Sequence, residues 1–321
     1  MKKLLTIVLI SIIGIDVITY MPLAFLTNIW FIDIFSHFRL QILILLWLVS
    51  WILLFPYLKY YWEKMKENKL TISDRKYSFV AFFNFIIPIV LILFMSEPLS
   101  TTLWNNGKIK NTIWVKIFYQ NIQREVDKED IELIYTQIKE SNPEIITVVE
   151  NSYEFHDYLY EKWWKRISGN KWTECGWYIK SDNEREIVSE IIKTDVNYDI
   201  CKFIYDNVNI FVVHPHPPMN KWQYDRWKWF FGELVWITDK VLLEDHKLII
   251  VWDFNATIYN SHFRESFNHI YKKSYYSRHS VGLLDFFLTL PIDHVLSNIK
   301  NIWFNTLEYT SSDHKGFIIW Y

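Results

Sequence analysis

The hydrophobic and polar positions divide the chain into two parts with different periodicities. The first hundred residues contain three long apolar stretches, at 4–26, 41–58 and 77–95, and the last two carry no charged residue. Each approaches the roughly 20 residues that a helix needs to cross a bilayer. The pattern therefore predicts a membrane region with three transmembrane helices at 1–100 and a separate domain at 108–321.

The basic residues predict an orientation for this membrane region. Lys2 and Lys3 precede the first stretch, and the link between the second and third stretches is also basic: Lys59, Lys64, Lys66, Lys69, Arg75 and Lys76. Cytoplasmic links carry an excess of such residues, so three crossings place the chain after about residue 96 on the outer side. We expect a multi-pass protein of the cell (inner) membrane, in contact with the lipid bilayer, with an extracytoplasmic catalytic domain. The first stretch has no small-residue cleavage site, which favours a retained helix over a removed signal peptide.

Asp16 lies inside the first apolar stretch. A carboxylate at that depth is either functional or protonated and packed against the other two helices. No basic partner is visible at matching depth, which favours the packed arrangement.

From about Thr112 the pattern changes to short apolar runs separated by polar stretches with helical spacing. Predicted helices cover Lys128–Ser141, the segment from Asn151 through Trp164, and Asn220–Leu243, whose aromatic residues are expected to belong to the core. Predicted strands cover 112–121, 144–150, 176–181, 186–194, 201–206, 209–213, 247–252, 301–309 and 315–320. This order predicts an α/β fold, a four-layer α/β/β/α sandwich with two packed mixed sheets and helices outside.

Side chains able to bind a metal or transfer a proton follow many of these runs. Three strings near the C-terminus, VWDFN, IDHV and SDH, each place a carboxylate at the end of an apolar run. The full candidate set is Asn121, Glu150, His214, Asp253, Asn255, Asp293, Asp313 and His314. Because strands of packed sheets end together at one rim, these side chains are expected to converge. Their oxygen atoms suit Mg²⁺, with Mn²⁺ as a second possibility, and no Cys or His cluster has the spacing of a zinc site.

Composition and charge restrict the partners only weakly. The formal net charge is -2 and the sequence pI about 6.6, so no global basic field indicates a nucleic-acid partner. The two cysteines, Cys175 and Cys201, either form a disulfide in an oxidising compartment or remain buried, unpaired thiols.

The candidate motifs occur in an order that resembles the endonuclease/exonuclease/phosphatase superfamily over roughly residues 112–321. The matching strings are FYQNI with Asn121, PEIITVVE with Glu150, VVHPHPP with His214, WDFNAT with Asp253 and Asn255, IDHV with Asp293, and SSDH with Asp313 and His314. The strings HPHPP and DFNAT, together with the apolar N-terminus, are most similar to the bacterial membrane-anchored branch of the superfamily.

The resemblance implies a hydrolase acting on phosphoric ester bonds, most simply a magnesium-dependent phosphodiesterase. It implies that Glu150 binds the metal with Asn121 and Asp313 close to it. It further implies that Asp253 orients or deprotonates the attacking water, that Asn255 holds this water or the phosphate, and that His214 and the His314–Asp293 pair contact the phosphate from opposite sides.

Two departures from the family pattern keep an alternative open. Trp252 stands where the family usually has Gly, and Gln123 stands where several relatives keep an acidic second metal ligand. The alternative is a non-catalytic envelope binding or scaffold protein of the same fold.

For an enzyme, the substrate is a lipid headgroup, another envelope phosphoester or a nucleic acid, as in the nucleases of the family. No obligate protein partner is evident. His216 is expected to shape its loop, and His294 to face away from Asp293.

Overall fold

The computed structural model divides the chain into two compact units, Met1–Ser100 and Thr101–Tyr321. It describes residues 44–45, 48–49, 52, 55, 59–60, 62–67, 86, 115–122, 126–167, 175–182, 187–255, 266–267, 271–274, 292–299, 302–307 and 314–321. The three predicted membrane spans lie almost entirely outside these residues, as does Asp16. Within the described part of the chain, no helix is both long and apolar enough to cross a bilayer.

The described residues of the second unit form two six-stranded sheets. Its strands are β1 (Lys116–Asn121), β2 (Ile145–Val149), β3 (Trp164–Arg166), β4 (Cys175–Lys180), β5 (Val188–Lys193), β6 (Asp199–Tyr205), β7 (Val208–Val213), β8 (Lys247–Asp253), β9 (Tyr271–Ser274), β10 (Asp293–Ser297), β11 (Trp303–Thr306) and β12 (Phe317–Trp320). The first sheet has the order β11-β12-β1-β2-β4-β3 and the second the order β5-β6-β7-β8-β10-β9. Only β1 with β2 and β7 with β8 pair in parallel among these strands, so both sheets are mixed, as predicted.

Helices cover the outer faces of both sheets. They are α1 (Lys128–Ser141), α2 (Tyr153–Glu161) and α3 (Lys221–Leu243). Each begins at a side chain that accepts a hydrogen bond from a backbone N–H of the first turn, namely Asp127, Ser152 and Asn220. Helices α1 and α2 bury apolar residues against the first sheet, while α3 packs on the end of β8 through rings such as Phe231 and Phe254, 5.4 Å apart.

The main core lies between the two sheets, where β2 faces β7. Alternate residues of each strand point into it, among them Ile117 and Tyr119 of β1 and Ile210 and Val212 of β7. Trp177 of the first sheet packs against Phe203 of the second with ring centroids 5.0 Å apart. This apolar layer fixes the two sheets against each other and so brings their strand ends to a common rim.

Two sequence-based predictions about elements are wrong. The helix predicted to run through Trp164 ends at Glu161, because Trp163 takes a left-handed φ of 66° that a helix cannot continue. Trp164 instead begins β3 and pairs with Lys180. Asp293 was expected at the end of a strand but starts β10, which runs antiparallel to β8.

Trp252 fits an uninterrupted strand. Its backbone pairs with Val213 on one side and His294 on the other within the regular ladder of β8. A Trp at the position where the superfamily that the sequence resembles usually has Gly is therefore compatible with the β8 backbone.

A disulfide joins Cys175 of β4 to Cys201 of β6, with the two Cα atoms 6.5 Å apart. The bond crosses the core from one sheet to the other, and no free cysteine remains in the chain. Of the two states left open by the sequence, the structure has the paired one.

Reduction of this disulfide should lower the free energy of unfolding of the full chain by about 2–4 kcal/mol, because the unfolded chain regains the freedom that the cross-link removes. The measurement is urea unfolding in detergent with and without reductant. The double variant Cys175→Ala, Cys201→Ala is the control, since its stability should not respond to reductant. Equal stability of the oxidised and reduced wild type would contradict the prediction.

Candidate active site

One rim of the two-sheet unit collects the predicted polar side chains. The contributing positions are Asn121 at the end of β1, Glu150 after β2, His214 after β7, Asp253 at the end of β8, Asp293 at the start of β10, and His314 shortly before β12. The parallel strands end at this rim and their antiparallel neighbours begin there, so every contributor reaches it from a buried strand. Half of the set comes from each sheet.

Asn121 connects the two sheets at the rim. Its Nδ2 donates to Glu150 Oε1 at 3.1 Å and to Asp253 Oδ2 at 3.2 Å. A half-turn of the amide group would direct its oxygen to the place that the nitrogen occupies. Asn121 is therefore positioned either to bridge two carboxylates or to share a cation with them.

Two histidines contact the same oxygen of Asp253. His214 Nε2 is 3.0 Å from Glu150 Oε1 and 3.7 Å from Asp253 Oδ2. His314 Nε2 is 3.5 Å from the same Asp253 oxygen, and its Nδ1 is 2.9 Å from Asp293 Oδ2. The contact with Asp293 fixes the orientation of the His314 ring and leaves Nε2 facing the centre of the rim.

Asn255 forms hydrogen bonds with Asp253 and with the segment after His214. Its backbone N–H donates to Asp253 Oδ1 at 2.9 Å, and its side-chain Nδ2 donates to the carbonyl of Pro215 at 2.9 Å. Asn255 adopts a left-handed φ of 49°, which Asn tolerates better than most residues. In this arrangement its side-chain nitrogen ties the segment after His214 to the end of β8.

Glu150 also has a left-handed backbone, with a φ of 51°. Non-glycine residues in this region are uncommon and concentrate at functional sites, where the surrounding structure compensates the strain. Here the contacts of the Glu150 carboxylate with Asn121 and His214 offset part of that cost. The turn carries the side chain from the first sheet towards the second.

The electrostatics of the rim favour the ionised form of Glu150. Burial alone would raise the pKa of Glu150, but the hydrogen bond and charge of His214, with a further bond from Asn121, lower it from 4.5 to about 2. Tyr119 lies two residues before Asn121 on the same face of β1. Burial and then the negative charges of Asp293, Asp253 and Glu150 raise the pKa of its hydroxyl well above the ordinary value, so it stays neutral.

The donor set fits a divalent cation. Ligand atoms of Glu150, His214 and Asp253 lie within 4.8 Å of one another, as do those of Asp253, Asp293 and His314. Three carboxyl groups and two imidazoles meet here, so the acidic groups outnumber the basic ones by one. Asp253 and Asp293 are almost completely buried, where an excess of negative charge is costly. A hard cation bound by the carboxylate oxygens would offset that cost.

The structure brings together most of the side chains predicted from the sequence. Those that meet at the rim are Asn121, Glu150, His214, Asp253, Asp293 and His314, with Asn255 supporting Asp253. Asp313 and Gln123 lie outside the described residues. His294 is buried on the opposite face of β10, with its ring 5.3 Å from Phe254. Sequence reasoning missed Tyr119, although its spacing of two from Asn121 on a strand indicates the same face.

Comparisons with known proteins give similarity at the level of structure. No protein-family model and no curated protein matches the sequence. The crystal structure of truncated Caenorhabditis elegans TDP2 is 12% identical, with a TM-score of 0.50 over 65% of this chain and 97% of that chain. The structure of D. rerio TDP2 complexed with single strand DNA product is 12% identical, with a TM-score of 0.50 over 65% of this chain and 99% of that one. At this identity the match concerns the fold.

Acidification should destabilise the metal-free protein partly through Glu150. The pKa of Glu150 is lower in the folded state, so its ionised form stabilises the fold above pH 4.5, and this contribution is lost as the pH falls towards 2. Thermal unfolding of the full chain with chelator should therefore show a steeper loss of stability over this range than Glu150→Gln does. Glu161→Gln, which changes an exposed carboxylate at the end of α2, should follow the wild type. Parallel curves for wild type and Glu150→Gln would contradict the assignment.

Proposed function

Because the second unit has the fold of the endonuclease/exonuclease/phosphatase superfamily, we propose that the chain is a membrane-anchored, magnesium-dependent phosphoesterase that hydrolyses a phosphodiester. The observation that carries the proposal is the buried rim at which Asn121, Glu150 and His314 of the first sheet meet His214, Asp253 and Asp293 of the second. Hydrolysis of an anionic ester needs positive charge beside the phosphate and a base for water.

In this proposal, His314 recognises the phosphate. Asp293 accepts a hydrogen bond from Nδ1 and stabilises the protonated ring, so the proton on Nε2 is directed into the rim. That proton is donated to a non-bridging phosphoryl oxygen and offsets the negative charge that develops there. His214 contacts the same Asp253 oxygen through its own Nε2 and is the second imidazole proposed to contact the phosphate.

Asp253 is the general base in this proposal. Its Oδ1 is occupied by the backbone N–H of Asn255, which fixes the carboxylate, and its Oδ2 faces the two imidazoles. A water held at Oδ2 gives its proton to Asp253, its oxygen forms the new P–O bond, and the ester P–O bond breaks. The leaving oxygen takes up a proton, from an imidazolium or from solvent.

The metal site is proposed on Glu150 and Asn121, with Asp313 as the further ligand predicted from the sequence and Asp253 close by. When bound, Mg²⁺, or Mn²⁺ in its place, supplies positive charge that polarises the phosphate and promotes ionisation of water. The low pKa of Glu150 keeps its carboxylate ionised and available as a ligand.

The location is part of the proposal. The three apolar stretches of the first hundred residues and the basic link between the second and third support a multi-pass inner-membrane protein with an extracytoplasmic catalytic domain. A disulfide across the core supports the same compartment, because disulfides persist where the environment is oxidising. The substrate is then a lipid headgroup or another envelope phosphoester. Nucleic acid is the competing substrate, since a neighbour in structure was solved with a single strand DNA product.

Hydrolysis of bis-nitrophenyl phosphate by the purified full chain with Mg²⁺ tests the reaction class. Glu150→Ala and His314→Ala should each lower kcat by about 100-fold or more, since each removes charge stabilisation in the transition state. His216→Ala is the matched control, because His216 is exposed and lies only two residues from His214. Absence of turnover with any divalent metal would refute the proposed activity.

Metal titration by calorimetry separates the enzyme from a non-catalytic scaffold of the same fold. Mg²⁺ should bind to the wild type and to Glu161→Ala, and binding should be lost or greatly weakened in Glu150→Ala because a charged oxygen ligand is removed. A scaffold has no need of this site. Absence of binding to the wild type, or equal binding to all three proteins, would favour the scaffold.

A further inference from the structure

Helix α3 carries a row of large apolar side chains on its outer face. Trp222, Trp229 and Trp236 are 64%, 68% and 61% exposed, and Leu243 is 86% exposed. The spacing is seven residues each time, and Met219, 72% exposed, lies just before the helix. The inward side of α3 has its own aromatic residues, such as Tyr224 and Trp227, which are buried. The exposed tryptophans are therefore additional to those that the fold needs.

Seven residues make almost two turns of an α-helix, so the four positions form one nearly straight row about 31 Å long, turning by only about 20° per step. Isolated exposed apolar residues are ordinary, but a continuous row of this size indicates an interaction surface. We call Trp222, Trp229, Trp236 and Leu243 the tryptophan row.

The row is too narrow to be the seam of a helix pair. A coiled coil needs apolar residues at two positions of each heptad, the second three residues after the first. Here those second positions are Asp225, Gly232 and Asp239. A partner helix would thus meet two carboxylates and a glycine at positions where a coiled coil needs apolar side chains. A fluid layer such as the edge of a lipid bilayer has no such requirement and can accommodate a single row of apolar side chains.

The residue type favours a bilayer interface. Trp has a large apolar ring with one polar N–H, and it is enriched where hydrocarbon meets lipid headgroups. Two cations lie directly over rings of the row: Arg226 Cζ is 4.5 Å from the centroid of Trp222, and Lys240 Nζ is 3.2 Å from that of Trp236. Rings inserted at the headgroup level would hold these cations where lipid phosphates lie.

A shallow groove widens the apolar surface beside the row. It has a volume of about 630 Å³ and runs between α3 and the edge strand β5. Its lining includes Trp229, Trp236 and Ile237 of the helix and Ile192 of the strand. Gly232 lies between the two tryptophans, and a Cβ there would meet no atom within 4 Å. The open space at this position lets lipid chains approach the helix closely.

The row begins next to the candidate active site. Helix α3 starts at Lys221, seven residues after His214. Trp227 Nε1 donates to the carbonyl of Phe254 at 3.1 Å, directly after Asp253. The N-terminal part of α3 is therefore bonded to the segment that follows Asp253. On the outer side, Arg226 contacts the rings of both Trp222 and Tyr198, and Tyr198 contacts His216, whose ring lies 6.0 Å from that of His214.

A bilayer is also the partner within reach of this surface. The predicted spans end near residue 95 and β1 begins at Lys116. The segment between them, even fully extended, holds the domain within about 70 Å of the membrane.

We propose that the tryptophan row inserts into the headgroup layer of a bilayer and turns the catalytic rim towards phospholipid headgroups, whose phosphodiesters are the substrate. The substrate assignment rests on the proposed activity, whereas the membrane contact rests on the tryptophan row and on the predicted spans. Four cations and three carboxylates lie on α3, so insertion is driven mainly by the apolar rings and depends little on anionic lipid: Lys221, Arg226, Lys228 and Lys240 against Asp225, Glu233 and Asp239.

Spin labelling of the full chain in phosphatidylcholine vesicles tests the contact. A nitroxide on Trp229→Cys should collide more with oxygen, which concentrates in the bilayer, than with a water-soluble nickel chelate. Tyr160→Cys is the matched control, because Tyr160 is an aromatic residue of α2, 72% exposed, on the outer face of the other sheet. Its label should collide mainly with the nickel chelate. The native cysteines are paired with each other, so unsubstituted protein gives the background.

Two outcomes of the labelling would overturn the proposal. Equal access of the nickel chelate to both labels would mean that the row stays in water. Shielding of the Trp229→Cys label from both oxygen and nickel would mean that a protein surface, from a second copy or from the rest of the chain, covers the row. Raising the salt concentration should leave the collision pattern of the Trp229→Cys label unchanged.

Activity on two substrates tests the orientation of the rim. The triple variant Trp222→Ser, Trp229→Ser, Trp236→Ser should lose at least about tenfold of its activity on phosphatidylcholine vesicles, a factor equivalent to about 1.4 kcal/mol. Its activity on soluble bis-nitrophenyl phosphate should be retained, which also shows that it is folded. Tyr160→Ser should keep both activities.

The two proposals fail in different ways. If the wild type cleaves neither substrate, the proposed function fails, while the spin labels still report on the membrane contact. If the wild type cleaves the soluble diester and DNA but not the vesicles, or if the triple variant keeps full activity on vesicles, the lipid assignment is wrong.

Discussion

Mutual repulsion among Glu150, Asp253 and Asp293 is the constraint on which the arrangement of the rim depends. Two of these carboxylates are almost wholly buried, where unpaired negative charge is costly. The compensating groups come from both sheets: the amide of Asn121 and the ring of His314 from the first, and the ring of His214 from the second. The rim is stable only while the two sheets stay aligned, so the apolar core beneath it and the polar site above it depend on the same packing.

The register of the paired strands determines which side chains of the two packed sheets reach the site. Tyr119 and Asn121 share one face of β1, and Asp253 pairs directly with Asp293 across β8 and β10. A shift of one residue in either ladder would exchange the inward and outward faces. The same alternation sends His294, the neighbour of Asp293, to the opposite face against Phe254. The disulfide between β4 and β6 adds a covalent restraint to this alignment.

Much of the fold and of the candidate site could be predicted, because buried strands that end in a carboxylate or an imidazole leave a clear pattern. The position of Asp293 was predicted but not its strand direction, since an antiparallel strand starts at the rim where a parallel one ends. Pairing of Cys175 with Cys201 could not be decided, because it depends on how two sheets meet. The sequence pattern of α3 predicts that its aromatic residues all belong to the core. The spacing of seven among Trp222, Trp229 and Trp236 separates them from buried Trp227 and Phe231, but only the packing shows which set faces outward.

The first and last described strands of the second unit, β1 and β12, pair with each other, and this determines how early the rim can form. β12 lies beside β1, and Asn121 meets Asp253 across 132 positions of the chain. Such distant contacts form late, after the intervening chain has been ordered. A growing polypeptide, emerging from its N-terminus, holds Asn121 and Glu150 long before it holds His314. The cluster of polar side chains at the rim therefore cannot be completed until the segment that carries His314 has been made.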